Sequence, residues 1–206
     1  MSLLGIPTLD PDQSNTADDE PTLSAPDLLI PDSEAPPGFD RQPTPESSSF
    51  TDVLDESAFD TASADIATQG YWKGSTHTDP EWVLVSTAIV ADTPIPRTEI
   101  ETAAQQSYDE YVTAYDAETS PLIDFEQAHT TSNSVSEWRV DVHETSFTDD
   151  TPRHIYTDIM RHQYVENAVL GTIAFGPTDT GPPIDSLLDQ YATLQRSRYE
   201  TYRASP

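Results

Sequence analysis

Along residues 135–146, apolar Trp138, Val140 and Val142 alternate with polar Glu137, Arg139 and Asp141. A period of two sends successive side chains to opposite faces, so this run predicts a strand. Similar runs predict strands near 122–130, 153–164 and 168–176. The links FTDDTP and VEN are short, which favours antiparallel neighbours. Two earlier runs, IATQGYWKG and EWVLVSTAIVA, read as strands joined through the polar GSTHTDP in a hairpin. The second is apolar from Trp82 to Val85 and from Ala88 to Val90, as expected of an internal strand covered on both faces. Trp72 and Trp82 are expected near each other across the hairpin, a pairing that contributes roughly 0.2–1 kcal/mol. Lys73 then lies beside the loop, its head in solvent or over an indole face.

Two stretches follow the helical period instead. Ile100, Ala103, Ala104, Tyr108, Tyr111, Val112 and Tyr115 form one apolar stripe. Thr98 and Glu101 have capping-box spacing, and Glu99 suits the positive helix end. SPL at Ser120–Leu122 marks a break. Near the end of the chain, Ile184, Leu187, Leu188, Tyr191 and Leu194 make a second helical face. Earlier, Phe50, Val53, Leu54 and Ala58 predict a short helix, with Ser49 and Asp52 as a cap pair. The order is short helix, two strands, helix, four strands, helix. Hairpin-connected strands with segregated helices predict an α+β fold, an antiparallel sheet of about six strands packed with two main helices.

The N-terminal third breaks this regularity. PDQSNTADDEPTLSAP, Pro11 to Pro26, has almost no apolar content, so residues 1–26 are expected to be a disordered acidic leader. Asp10, Asp12 and Ser14 hint at a calcium loop, but the required glycine is missing and Pro21 holds the twelfth position. DLLIPDSEAPPGF, Asp27 to Phe39, begins with an apolar anchor, Leu28 to Ile30, and has a turn at Pro36-Pro37-Gly38. Residues 27–65 are thus expected to be an ordered arm with a short helix, and residues 66–202 the α+β domain.

The order of elements resembles the Mog1/PsbP-like α+β sandwich. LLIPDSEAPPGF also resembles the start of some extracytoplasmic sensor domains and lipoproteins with related folds. Such families are mostly binding, assembly or sensory modules without a shared catalytic set, so the resemblance implies a fold and carries over no functional residue.

Charge changes the picture further. There are 37 acidic residues against 9 basic ones, for a net charge of -28, and Lys73 is the only lysine. At ~0.15 M salt, with a Debye length of ~8 Å, so many carboxylates repel one another; at ~1 M the length is ~3 Å. Lysine stems expose methylenes that high salt drives together. The composition resembles that of halophilic archaeal proteins, so a haloarchaeal protein family is expected, with K+ or Na+ at high concentration as a general requirement. A nucleic-acid partner needs a basic face, and none is available. Anionic membrane surfaces repel the chain for the same reason. No apolar run approaches the ~18 residues of a membrane span, so membrane insertion is not expected. Without cysteine, disulfides, thiolate catalysis and Cys-ligated zinc are excluded. MSLLGIPTLD lacks a positive segment and a long apolar run, so the expectation is cytoplasmic, or extracytoplasmic if a signal has been removed.

Candidate chemistry is sparse. GPTDTGPP, Gly176 to Pro183, has the two glycines of a phosphate loop but lacks its Gly-Lys-Ser/Thr ending, so a strand-to-helix connector is expected. His143-Glu144 opens a zinc-protease motif, but Phe147 replaces the second histidine. On RHIYTDIMRHQY a regular strand puts His154, Tyr156, Asp158, Met160 and His162 on one face, with His143 on the preceding strand. Two histidines and an aspartate can bind a divalent metal or do acid–base work. His154 and His162 are roughly 26 Å apart at ~3.3 Å per residue, so only His143 with one of them can share an ion. His143, His154 and Asp158 are therefore the weak metal candidates, set against a polar, solvated sheet face. Arg196, Arg198 and Arg203 offer an anion or partner contact, or simply suit a helix C-terminus. Tyr108, Tyr111, Tyr115, Tyr191 and Tyr199 line a groove between helices or belong to the core.

The sequence favours a non-enzymatic binding or protein-interaction module with no cofactor, its partner an unknown protein or a small ligand held between a helix and the sheet. The alternatives are a metal-dependent or acid–base enzyme using the His/Asp face, and a structural subunit of a larger assembly.

Overall fold

Short links after residues 76, 131, 146 and 165 fold successive strands back on one another, and the result is one sheet. The computed structural model describes residues 23–42, 64–76, 79–118, 123–146 and 149–204. Its strands are β1 (Asp40–Arg41), β2 (Ala64–Thr76), β3 (Asp79–Ala91), β4 (Ile123–Thr131), β5 (Val135–Ser146), β6 (Asp149–Val165) and β7 (Ala168–Pro177). They pair antiparallel in the order β1-β2-β3-β7-β6-β5-β4. Two α-helices, α1 (Arg97–Glu118) and α2 (Ile184–Ala204), and two 3-10 turns, Ala25–Leu28 and Asp32–Glu34, complete the described elements. The expected α+β class holds. The sheet has seven strands because Asp40 and Arg41 add a short edge opposite Trp72 and Tyr71. The helix expected at Phe50–Ala58 lies outside the described residues, as do residues 1–22 of the expected leader.

The helices cover opposite faces of the sheet. Ile100, Ala103, Ala104 and Tyr108 of α1 pack with Ile89, Trp138, Val140, Met160 and Val169. Ile184, Leu187, Leu188 and Tyr191 of α2 pack with Tyr71, Trp82, Leu84, Ile159 and Ala174. The strand neighbours alternate between the two clusters, Ile89 against Leu84 and Met160 against Ile159, as the two-residue period requires. β3 sits inside the sheet and is buried without a break from Ser86 to Ala91. α1 carries the chain from this central strand to the β4 edge.

The start of α1 differs from the expected capping box. The helix begins at Arg97, and the Glu99 and Ile100 amides donate to the Pro96 carbonyl. Glu101 turns instead to Arg97, 2.9 Å away, and to the Ser136 hydroxyl. Burial alone would raise the Glu101 pKa, but these hydrogen bonds hold it below the usual carboxylate range. The side chains of Tyr111 and Tyr115 lie outside what the structure describes.

Order begins ahead of Asp27. Ala25 is fully buried, and its amide donates to Asp65 at 2.7 Å. Leu28 and Ile30 are buried as the apolar anchor, and the Tyr71 hydroxyl donates to the Ile30 carbonyl at 2.7 Å. Beneath the arm, fully buried Gln195 of α2 accepts from Thr172 at 2.6 Å and donates to the Thr87 carbonyl at 3.2 Å. Leu194, expected on the buried stripe, is only partly covered.

The β2–β3 hairpin forms, but its tryptophans do not meet. Trp72 pairs with Val83 and Lys73 with Trp82, so the two indoles point to opposite faces. The Lys73 ammonium lies 4.8 Å from the Trp82 ring centroid, a cation–π contact. Trp82 also explains the glycines of GPTDTGPP. A Cβ at Gly176 would lie 2.7 Å from Ile184 Cδ1, and one at Gly181 would lie 2.7 Å from Trp82 Cε2. Gly181 also has a φ of 71, the left-handed region that glycine enters freely. The segment is a strand-to-helix connector folded tightly over an indole.

Candidate functional site

A β-bulge decides where the histidines go. Val142 faces Tyr156 while His143 faces His154, so Ile155 is an extra residue on β6. The bulge reverses the faces on either side of it. His154 joins His143 on the α2 side, whereas Tyr156, Asp158 and Met160 stay on the α1 side. Of the candidates expected to share one face, His143 and His154 are brought together. Asp158 lies across the sheet, where its charge acts on Tyr108 of α1.

Asp141 takes the place expected for Asp158. The two imidazoles stack with centroids 4.9 Å apart. His154 Nε2 lies 3.0 Å from Asp141 Oδ1, 2.9 Å from Thr157 Oγ1 and 3.0 Å from the Tyr156 carbonyl. Thr157 Oγ1 donates to Asp141 at 2.7 Å. Nε2 therefore faces three oxygens and serves as a donor. Burial would raise the Asp141 pKa, but hydrogen bonds from Arg139 and Thr157 hold it below the usual carboxylate range. His143 Nε2 has no hydrogen-bond partner among the described residues, and the Glu126 carboxylate is 3.9 Å away. The connector pins the bulge: the Thr178 hydroxyl donates to the His154 carbonyl and its amide to the Ile155 carbonyl. A neutral histidine hydrogen-bonded to a carboxylate can relay a proton. Among the described residues, no three His, Asp or Glu side chains converge on one metal position.

His162 is a core residue, 2% exposed, with its ring edge-on to Trp138 at 5.3 Å. Burial pushes its pKa down to about 4, against the opposing charge of Glu101.

A wide groove opens between α1 and the β4 edge, with a volume of about 890 Å³. Its walls carry Glu101, Gln105, Asp109 and Glu110 from α1 and His129 from β4. A ligand site was expected between helix and sheet; the residues that line this groove are threonines, glutamines, acids and one histidine. Trp138 lies beneath it, with its Nε1 donating to Gln105 at 2.8 Å and its ring stacked on His129 at 4.5 Å. β4 pairs with β5 on one side, and its other edge closes the sheet order. The nine residues of β4 are mostly exposed. Nothing in the alternation of IDFEQAHTT distinguished this edge strand from an internal one.

Among the described side chains, Tyr108, Tyr191 and Tyr199 line no groove between helices, because the helices lie on opposite faces. Tyr108 is buried under α1, and Tyr191 and Tyr199 under α2. Of the C-terminal arginines, Arg196 pairs with Glu200 and Arg203 with Glu166, each within 2.9 Å. No helix among the described residues is long and apolar enough to cross a membrane.

No family model and no curated protein matches the chain. Among solved structures, it is similar to the extracellular domain of PknH from Mycobacterium tuberculosis, with a TM-score of 0.48 and 11% identity, covering 88% of this chain and 95% of that one.

Proposed function

We propose that the chain is a non-enzymatic interaction module of a halophilic archaeon, and that it takes an extended peptide segment along β4. The observation that carries this reading is the terminal position of β4 beside an open groove of about 890 Å³ under α1. An unpaired strand edge presents backbone donors and acceptors to an incoming strand, and an adjoining groove receives its alternate side chains. The groove carries Glu101, Asp109 and Glu110, and β4 itself carries Asp124 and Glu126. A partner segment bearing Lys or Arg at alternate positions matches that charge. A net charge of -28 keeps such surfaces apart in dilute salt, so the module is suited to brine.

Amide hydrogen exchange of the chain in high KCl, with an alternating Val–Lys peptide as probe, tests this. Protection should appear on β4, with an alternating Val–Glu peptide giving none. Asp109→Lys with Glu110→Lys should weaken the Val–Lys effect. Equal protection by both peptides, or protection away from β4, refutes the reading.

The His154–Asp141–Thr157 cluster favours a second reading, acid–base or metal-assisted chemistry at the bulge. A thermal shift with Zn2+, Mn2+ or Ni2+ that vanishes in His143→Ala would support it. No shift with any of these ions would count against the metal form of that reading.

A further inference from the structure

With 37 acidic residues in the chain, a carboxylate is easily found for every cation. Among the described residues, every arginine except Arg198 has one within ion-pair distance. Arg198 uses its Nε on the Asp27 carbonyl at 3.0 Å. Its terminal nitrogens have no carboxylate partner among the described residues. It lines a cavity of about 470 Å³ between the 3-10 arm, β2 and α2.

The walls of this cavity are of two kinds. Pro26, Leu29 and Pro31 give the lining its apolar part, and Arg41 and Arg198 both line the cavity. Asp32 is the one carboxylate in the lining. It is bound to Arg41 in a pair that is mostly solvent-exposed, with side chains 57% and 61% accessible. Exposed pairs are weak because water competes for both partners, so Arg41 is readily recruited by a ligand. Two guanidiniums against one carboxylate make this lining locally positive on a strongly acidic chain. The apolar wall is rigid: the Ile30 amide donates to Ser86 Oγ at 3.2 Å, and its carbonyl accepts from Tyr71.

We infer that the cavity binds a small organic carboxylate, with its apolar body against Leu29 and Pro31 and its carboxylate forked on Arg198, while Arg41 adds positive charge to the same cavity. Guanidinium and carboxylate match in planar, two-point geometry, and such charge-assisted bonds are roughly twice as strong as neutral ones. The volume falls within the ~300–1,000 Å³ of small-molecule sites. Inorganic phosphate could use the same fork but leaves the apolar wall empty. The site is on the other face of the sheet from the α1–β4 groove, so it does not depend on the peptide reading.

Ligand-observed NMR on the whole chain, in the lowest KCl that keeps it folded, tests the inference with potassium benzoate as probe. Benzoate should bind, with benzamide and inorganic phosphate each weaker by about tenfold or more. Arg198→Gln should reduce benzoate binding by a similar factor, and Arg41→Gln should reduce it less. Arg196→Gln, which removes an equal charge two residues away, should leave it unchanged. Circular dichroism of each variant separates lost binding from lost folding. If Arg198→Gln unfolds the arm, Arg41→Gln alone must still weaken benzoate. No benzoate binding, binding equal to that of benzamide or phosphate, or equal losses in Arg196→Gln and Arg198→Gln each overturn the assignment.

Discussion

Replacing His162 by Phe isolates one buried titration. The ring sits 2% exposed beside Trp138, and burial depresses its pKa from 6.5 to about 4. The folded state therefore binds fewer protons than the unfolded state between these values. Stability rises with pH wherever the unfolded chain binds more protons. The neutral ring's contribution is fully present above about pH 6.5 and is lost as pH falls towards about 4. The full difference is about 3 kcal/mol at ~1.36 kcal/mol per pKa unit. Between pH 7.5 and 4.5 most of this, about 2–3 kcal/mol, is realised. Phe keeps a ring of similar size and cannot titrate. Urea unfolding of both chains at the two pH values, in constant high KCl, gives four free energies. Packing differences cancel when each chain is compared with itself, and the carboxylates titrate alike in both. The natural chain should lose about 2–3 kcal/mol more than His162→Phe on acidification. Equal losses within about 0.5 kcal/mol would show that His162 is not held neutral by burial.

Gly181→Ala places a Cβ against Trp82 at a positive φ and should cost roughly 1–3 kcal/mol, read as a lower thermal midpoint; an unchanged midpoint would remove the packing account of the connector. Trp138→Ala should cost ~3–5 kcal/mol, since the indole is fully buried and bonded to Gln105; a variant of normal stability would move Trp138 out of the core. Stability should rise steeply from ~0.1 M to above ~1 M KCl as the Debye length falls from ~10 to ~3 Å, and a flat series of circular dichroism melts would sink the salt-adapted reading.

The strands were legible because their faces differ chemically: the alternation around Trp138 located β5, and the continuous apolar run of β3 located the middle of the sheet. The bulge was not legible. Ile155 is apolar like Ile159, and no residue type marks it as the extra position, so a regular period carried Asp158 to the wrong partner. β1 is two residues long and has no period at all. Gln195 reads as a polar interruption of the α2 stripe, yet it is fully buried because Thr172 and the Thr87 carbonyl satisfy its amide. A polar residue that is buried through specific partners is invisible to any pattern that counts only hydrophobicity.

The polar face of β5 shows what this costs. Glu137, Arg139 and Asp141 alternate with the core residues and look like a solvated face. In the fold they meet α2. Arg139 bridges Asp141 and Asp185 at 2.7 and 2.8 Å, and Arg161 bridges Glu137 and Asp189, both at 2.7 Å. Asp185 and Asp189 are one helical turn apart and face the same two strands. These arginines are about three-quarters covered, with 28% and 22% of their side chains accessible. Salt reaches the pairs within the sheet, to Asp141 and Glu137 at 18% and 24% accessible, far less than the pairs to α2, whose Asp185 and Asp189 are 64% and 68% accessible. Two of the chain's nine bases thus bridge sheet and helix from covered positions on β5 and β6. Screening then weakens the outer half of each bridge first, while the inner half keeps each arginine aimed at α2, the helix that also carries Arg198 beside the arm.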